Sequence, residues 1–458
     1  VLMVNDVGVD TRVEPSSAHG EWSRRLVDLN RDELAQHAQY VEKSASELGV
    51  WERGGYIPLQ PFLVSTAARR HLQRVHSGLK QLQVGYASDV AQGDARRLAD
   101  AVGWSPAESW FLGAKRPLAD ALGASRSDVF VAGGRPRFLE INIGTCLNGN
   151  ISSSVLGEVF PSTPVGSQIG QDHPVEGSSY LAELIRWVRR DRSGGPVNVA
   201  LLGFRDDASE ASLRWADEQA ERFAAVGIWC QFVPVDEAEI VDDTLCWRNK
   251  RYDAAIRYFM ASARVAEHRD FFHALEHATR TTLYGSYVSQ LFASKTLLAD
   301  LYQNDRNTAK QRRLLSYLPW TARLVERYAR KEGMRIDPIA WAAGHRSTAV
   351  LKPGNQFGSR GVVVGALTSD AEWREALADG VRAGDHVVQE LVEPDTWSCM
   401  YWHIESESLV RVESPVLLGQ FDVNGADGGC HVQQPIKGSE VDLLTRDRDV
   451  SLGCVMSA

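Results

Sequence analysis

What most constrains this chain is a pair of hairpin patterns, far apart in sequence, that carry complementary chemistry. The first reads Asp128-Val129-Phe130-Val131, then Gly133-Gly134-Arg135-Pro136, then Arg137-Phe138-Leu139-Glu140-Ile141-Asn142. Two short apolar runs around a Gly-Gly turn predict an antiparallel hairpin. Side chains alternate along a strand, so Glu140 and Asn142 project from one face, and the turn folds Asp128 back towards them. Two carboxylates and an amide oxygen suit Mg²⁺, a hard cation that keeps substrate phosphates among its ligands. A surface hairpin with a polar solvent face has the same pattern, so this piece alone leaves both readings open.

The second pattern is Ala349-Val350-Leu351-Lys352-Pro353, then Gly354-Asn355-Gln356-Phe357-Gly358-Ser359-Arg360-Gly361, then Val362-Val363-Val364. Glycines at 354, 358 and 361 let backbone N–H groups approach phosphate oxygens, and Lys352 adds a point charge to the same oxygens. No Gly-Lys-Ser/Thr follows, so this is not a Walker loop. A second strand follows instead, and the loop reads as a flap between antiparallel strands; an ordinary hairpin fits too. Further on, His386-Val387-Val388-Gln389-Glu390-Leu391-Val392 passes from an apolar strand into a polar segment. Such a strand presents backbone N–H and C=O groups suited to an adenine edge.

The chain has 458 residues, too many for one ordinary core, and predicts two or three packed units. With 44% hydrophobic and 24% charged residues the composition is globular, and a formal charge of -9 argues against nucleic acid as a partner. No run approaches the roughly 18 apolar residues of a membrane span, and the first residues lack the pattern of a signal peptide. The six cysteines show no C-x-x-C spacing and fit buried packing in a reducing compartment, so the expectation is a cytoplasmic protein. Cys146, close after the Glu-x-Asn triplet, is the one cysteine for which a catalytic thiol stands as an alternative to buried packing.

From about residue 20 to 123 the pattern is mainly helical, with Leu34, Ala38, Val41 and Ala45 at helical spacing and a break at Pro58 and Pro61. A polar loop, 144–154, leads onto a helix near Ser154 and suits a substrate carboxylate or a plain capped junction. After a linker-like stretch at 191–195, strands are predicted at 197–203, 228–235 and 252–258, with a crossover helix at 209–226. Ligands of open α/β sheets bind beyond strand C-termini, where Arg205 and Arg257 fall; lone arginines there are often structural. Helices are predicted over 271–300, and 320–325 is read as running into another helix. Lys295 stands alone in an apolar surround, as a snorkelling lysine also does.

In order, these motifs resemble ATP-grasp ligases of the circularly permuted, eukaryotic glutathione-synthetase type. The likeness rests on Arg126-Ser127-Asp128 with Glu140-Ile141-Asn142, on Asp253 to Arg257, on Ala293-Ser294-Lys295, and on Lys352-Pro353 with Gln389 to Pro394. A weaker echo is Val410-Arg411-Val412 followed by Gly428-Gly429. The resemblance implies an α/β ATP-grasp fold, circularly permuted, with a helical N-terminal region plus metal hairpin (1–192), an inserted Rossmann-like α/β substrate domain (193–290) and a nucleotide-binding part with the flap (291–458). It implies ATP and Mg²⁺ as cofactors, the latter on Asp128, Glu140 and Asn142. Lys295, Lys352 and the glycines 354, 358 and 361 would meet ATP phosphates, and Gln389, Glu390, Leu391 and Val392 would line the adenine slot. Arg126, Arg257 and Arg411 would meet the substrate or acyl phosphate. The expected partners are a small carboxylate and an amine, with no nucleic acid and no membrane; a homodimer stays open.

Two departures narrow this. Gln356 stands where those synthetases carry an acidic metal ligand, four residues after the flap lysine. The stretch Arg205 to Trp215 does not match the polar segment with which they read a γ-glutamyl group. The expected activity is therefore amide-bond formation with an acid other than the glutathione precursor. An ATP-grasp kinase and a non-catalytic nucleotide binder are the alternatives.

Overall fold

The computed structural model describes residues 11–48, 55–104, 122–191, 197–206, 210–259, 267–325, 328–436 and 450–458. At the N-terminal end, helices Ser17–Asp28, Arg31–Glu47 and Thr66–Ala91 carry the predicted periodicity. The Arg31–Glu47 helix starts with a capping box: Asn30 accepts from Glu33 N, and the Glu33 carboxylate accepts from Asn30 N. Its stripe Leu34, Ala38, Val41, Ala45 is buried as expected. The proline break is more than a break, because two short strands enter there, β1 (Tyr56–Pro58) and β2 (Phe62–Val64).

The central feature is the hairpin of β3 (Ala124–Ala132) and β4 (Arg135–Ile143). Gly133 and Gly134 both have positive φ, +60° and +73°, as a two-residue hairpin turn of the primed kind requires. Both their N–H groups donate to the carboxylate of Asp395, at 2.8 and 2.7 Å. The hairpin is one edge of a six-stranded sheet in the order β2-β22-β21-β20-β3-β4, whose other strands are β20 (Leu417–Val423), β21 (Ala426–Pro435) and β22 (Val450–Ser457). The helix after the polar loop begins at Asn150 rather than Ser154 and runs to Ser162.

A second, wholly parallel sheet has the order β11-β10-β5-β6, from β5 (Asn198–Gly203), β6 (Trp229–Pro234), β10 (Ala254–Arg257) and β11 (Thr282–Tyr284). The crossover helix is Glu210–Ala224. Between β6 and β10 lies a small antiparallel sheet of β7 (Glu239–Val241), β8 (Thr244–Trp247) and β9 (Lys250–Tyr252), so the strand expected over 252–258 starts only at Ala254. β11 likewise interrupts the stretch expected to be helical, which becomes helix Arg269–His277, strand, helix Val288–Phe292 and helix Lys295–Gln303. Three residues paired to β10 are too few to disturb a helical periodicity. The expected linker lies outside the described residues beyond Asp191, which ends a helix.

The third sheet is antiparallel, β12-β17-β15-β16, formed by β12 (Thr321–Arg323), β15 (Ala349–Pro353), β16 (Val363–Val364) and β17 (His386–Glu390). β12 corrects the helix read at 320–325: its backbone pairs with β17, Thr321 opposite Gln389. The helix Asp370–Ala383 backs this sheet, and Trp320, Leu324, Leu351, Trp373 and Val388 give it a core of its own. The hairpin β13 (Ala329–Lys331) and β14 (Met334–Ile336) adjoins it. Finally β18 (Thr396–His403) takes β1 on one side and β19 (Ser408–Pro415) on the other. Among the described residues no helix is long and apolar enough to cross a membrane.

Candidate active site

In the β3–β4 hairpin, Arg126 pairs with Asn142 and Asp128 with Glu140. All four side chains therefore share one face. The register then shifts, with Val129 opposite Phe138, leaving Leu139 as an extra residue in β4. A bulge of this kind re-aims the side chains beside it. Arg126 grips Asp128 with Nε and Nη2, at 2.8 and 3.2 Å, and its Nη1 donates to Asn148 O at 2.8 Å. Asn142 Nδ2 donates to Glu140 Oε1 at 3.1 Å.

Two lysines from elsewhere in the chain close on this patch. Lys295, the first residue of its helix, lies 3.2 Å from Glu140 Oε2 and donates from Nζ to Gln356 O at 2.7 Å. Its backbone N–H donates to Gly354 O at 2.9 Å, tying the helix start to the base of the flap. Lys352, buried on β15, donates to Gln389 Oε1 at 2.7 Å. Burial pushes the Glu140 carboxyl upward, but Lys295 and Lys352 outweigh it and hold the group at about 2. Burial lowers Lys352 to about 8 despite the charge of Glu140. Asp128 moves the other way, raised by burial and by the neighbouring Glu140 against the pull of Arg126.

These residues wall a cavity of about 530 Å³, within the size range of small-molecule sites. Its described wall carries five cationic groups (Arg126, Arg257, Lys295, Lys352 and Arg360) against two carboxylates (Asp128 and Glu140), an excess of three positive charges. A partly dry pocket with that excess attracts polyanions. Asp128 and Glu140 face each other across the strand pair and differ in the direction their acidity is moved, so a cation between them would relieve their repulsion. The donors are oxygens only, which fits one hard dication completed by ligand phosphates. Among the described residues no three His, Cys, Asp or Glu side chains converge as a metal cluster.

Gly358 and Gln356 line the cavity, Gly358 with φ +65°. Gly354 does not: its N–H donates to Asp385 O at 2.9 Å, and a Cβ there would lie 2.5 Å from that same oxygen. Gly361 closes the flap turn at φ +69°, where a Cβ would meet the Pro353 ring at 2.8 Å. The segment expected to line an adenine slot stands outside the cavity wall. Gln389 is buried between Lys352, Thr321 Oγ1 and Leu139 O. Glu390 N and Leu391 N donate to Trp320 O and Thr348 O, both at 2.9 Å, so those donors are already taken. The Glu390 side chain pairs with Lys331 at 2.9 Å, and Val392 packs on Phe130, Leu139 and Leu417.

Arg257 lines the cavity from the end of β10, fully buried over the Tyr287 ring and donating to Gly285 O and Phe259 O. Arg205 is exposed and reaches Glu237 only at 3.8 Å. Arg411 lies on β19 opposite Met400, exposed and away from the cavity wall; pairing with β18 carries it into a different sheet. Cys146 lines the cavity, but burial pushes its thiol upward, which disfavours the nucleophilic thiolate. Sequence reasoning missed the wall contributed by the crossover helix, where Ser212, Trp215, Ala216 and Gln219 line the cavity. Their i, i+3, i+4, i+7 spacing is a helix face, a signal that was present but unassigned.

The three sheets and the cavity between them define a mixed α/β fold of the glutathione-synthetase-like kind. The structure of a glutathione synthetase-like effector from Globodera pallida, in apo form, superposes with a TM-score of 0.57 at 12% identity, covering 94% of this chain and 95% of that one. A candidate γ-glutamylcysteine synthetase from Methylobacillus flagellatus gives a TM-score of 0.41 at 9% identity over 81% of this chain and 85% of its own, too low to weigh. No protein-family model matches the chain, and no curated protein matches it.

Proposed function

We propose that this protein is an ATP-dependent carboxylate–amine ligase of the permuted ATP-grasp type, forming an amide through an acyl phosphate. The observation that carries the proposal is the cavity wall itself, where two lysines and an arginine surround a carboxylate pair beneath a glycine-bearing flap. The order of the parts, hairpin before flap, supports the permuted arrangement. Transfer of a phosphoryl group to a carboxylate brings anionic oxygens together, so catalysis is mainly positioning and charge neutralisation. Asp128, Glu140 and Asn142 would hold Mg²⁺, which supplies charge compensation for the phosphates when bound. Lys295 and Lys352 approach the same oxygens from the helix start and from β15. Arg126, fixed by Asp128 and Asn148 O, presents a planar cation where the acyl phosphate develops. The flap from Gly354 to Gly361 covers this end and keeps water from the acyl phosphate.

The test is an ADP-release assay across carboxylic acids, alone and with candidate amines, with products identified by mass spectrometry. ADP and phosphate formed together with an amide, dependent on both acid and amine, is the expected result. A stable phosphoester without amide would make the protein a kinase. ATP binding without turnover under any pairing would make it a nucleotide-binding protein.

A further inference from the structure

The two halves of the charged end come from different sheets, and one uncharged side chain joins them. Glu140 stands on β4 of the six-stranded sheet and Lys352 on β15 of the third sheet. Gln389, on β17, lies opposite Val350 in β15 and opposite Thr321 in β12. Lys352 lies opposite Val387, two residues along, so the lysine and the glutamine are diagonal neighbours on one face. Lys352 Nζ donates to Gln389 Oε1 at 2.7 Å. Gln389 Nε2 donates to Leu139 O at 3.1 Å and to Thr321 Oγ1 at 2.9 Å.

The direction of every bond in this set is fixed. The Thr321 hydroxyl uses its one hydrogen on Pro319 O, at 3.0 Å, and can only accept from the amide. Leu139 O is likewise an acceptor. The amide nitrogen therefore faces these two oxygens and the amide oxygen faces the ammonium; a flipped amide would set N–H donors against N–H donors. Leu139 is the extra residue of the β4 bulge and the immediate neighbour of Glu140. One amide thus holds both the bulge that aims Glu140 and the ammonium of Lys352. With both N–H donors engaged and the residue 3% exposed, Gln389 is not placed to read a base.

The neutrality of this acceptor matters. A carboxylate at 389 would grip the ammonium and cancel its charge. An amide oxygen orients the ammonium and leaves its charge, with two of its three N–H donors, for a ligand.

Resting on the nucleotide role given to Lys352 in the ligase reading, we propose that Gln389 is a positioning residue. It fixes Lys352 relative to Glu140, so that the lysine and the carboxylate that would hold the metal serve the same phosphate group.

A double-mutant cycle on the full-length protein tests this, with the affinity of a non-hydrolysable ATP analogue and Mg²⁺ measured by calorimetry. Gln389→Met keeps the side-chain length and removes the amide. It is expected to weaken the analogue about tenfold in the wild-type background and less than about threefold beside Lys352→Met, where the lysine it positions is gone. Losses of equal size in the two backgrounds overturn the proposal, as does no loss in the first. If the methionine variant does not fold, Gln389→Asn, whose amide is one methylene short, runs the same cycle. A crystal structure of the wild-type protein with Mg²⁺ and the analogue needs no variant: the bond from Lys352 Nζ to Gln389 Oε1 is expected to persist, and its loss overturns the proposal. Equal losses beside a Lys352→Met variant that is itself impaired would sink this inference and leave the nucleotide site standing. Coupled losses with no amide formed from any acid and amine would sink the ligase reading and leave this inference standing. A Lys352→Met variant that binds the analogue like wild type would overturn the lysine assignment and this inference together.

Discussion

Two buried clusters of charge lie on opposite faces of the same six-stranded sheet, and they are built to different rules. Where the Thr66–Ala91 helix meets β20, Arg69 pairs with Asp427 and Lys80 with Asp422, each at 2.5 Å. Asp422 also accepts from Ser77 Oγ, from Gln73 Nε2 at 3.0 Å and from Gly425 N at 3.1 Å. Two cations meet two anions, and the lone pairs are satisfied. In the cavity, among the described residues, five cations meet two anions. A balanced, saturated cluster holds a fold together; an unbalanced one lining empty volume holds something else. Breaking a pair in the first should therefore cost stability, and in the second should cost binding or turnover.

The largest expected effect is on the balanced side. Asp422→Asn leaves Lys80 buried without its counter-charge and should lower unfolding free energy by about 3–5 kcal/mol. The nucleotide affinity of the protein still folded should be unchanged. Denaturant titration and calorimetry check the two halves, and a loss of affinity without loss of stability would collapse the distinction between the clusters.

Next is Glu140→Gln, which removes one negative charge from the proposed metal site at constant shape. Turnover should fall by about 100- to 1000-fold, the scale of losing one electrostatic contact to a reacting group, with the melting temperature nearly kept. Unchanged turnover would mean that the hairpin holds no metal. Lys352→Met should weaken nucleotide binding or turnover by about 10- to 100-fold, the worth of one charge-assisted contact. If both match wild type, Lys352 serves only its bond to Gln389.

The pH dependence follows from the same lysine. Its ordinary value is 10.5 and burial lowers it to about 8. Between those two pH values the folded state binds fewer protons than the unfolded state, so this group's contribution to stability rises as pH rises through that window. Below about 8 both states carry the charge and the burial penalty is fully present. Nucleotide affinity should move oppositely, falling about tenfold between pH 7 and pH 9 as the lysine loses its charge, and the Lys352→Met variant should be flat over that range. The smallest effect is Arg411→Ala, exposed on β19, expected to shift stability by no more than about 0.5 kcal/mol and to leave turnover alone. A large loss of turnover there would place a second substrate contact outside the cavity.

The sequence was most readable where a pattern was local and complete. The hairpin around Gly133-Gly134, β5 with its crossover helix, and the strand ahead of the flap all stand within a few residues of their expected bounds. What escaped were pieces defined by distant partners. β1, β2, β11 and β12 are three residues each, and their strand character exists only because Tyr401–His403, Val455–Ser457, β10 and β17 lie beside them. The placing of β20 between β3 and β21 likewise has no local sign. Most of the charged end of the cavity could be listed, Asp128, Glu140, Asn142 and Lys352 from their residue types in two hairpins and Arg126, Arg257 and Lys295 from the resemblance that the ordered motifs carry, while Arg360 was missed. The apolar end could not, since Trp215 and Phe232 look like any core aromatics until the empty volume beside them is seen.

The bond from Lys295 Nζ to Gln356 O has one more consequence. The protein comes with its own occupant for that ammonium, a piece of main chain from the flap. An ammonium has three N–H donors, so a phosphate can bind beside this tenant, and only the share of affinity that needs the tenant's donor is scaled by the fraction of molecules in which the loop has let go. Because the tenant is a carbonyl, changing the side chain at 356 cannot evict it. The backbone conformation of the loop can, and Gly358, at φ +65°, is one of the loop positions in the left-handed region, with Ser359 and Gly361. Evolution or design could thus retune nucleotide affinity from a residue that carries no charge and no functional group at all.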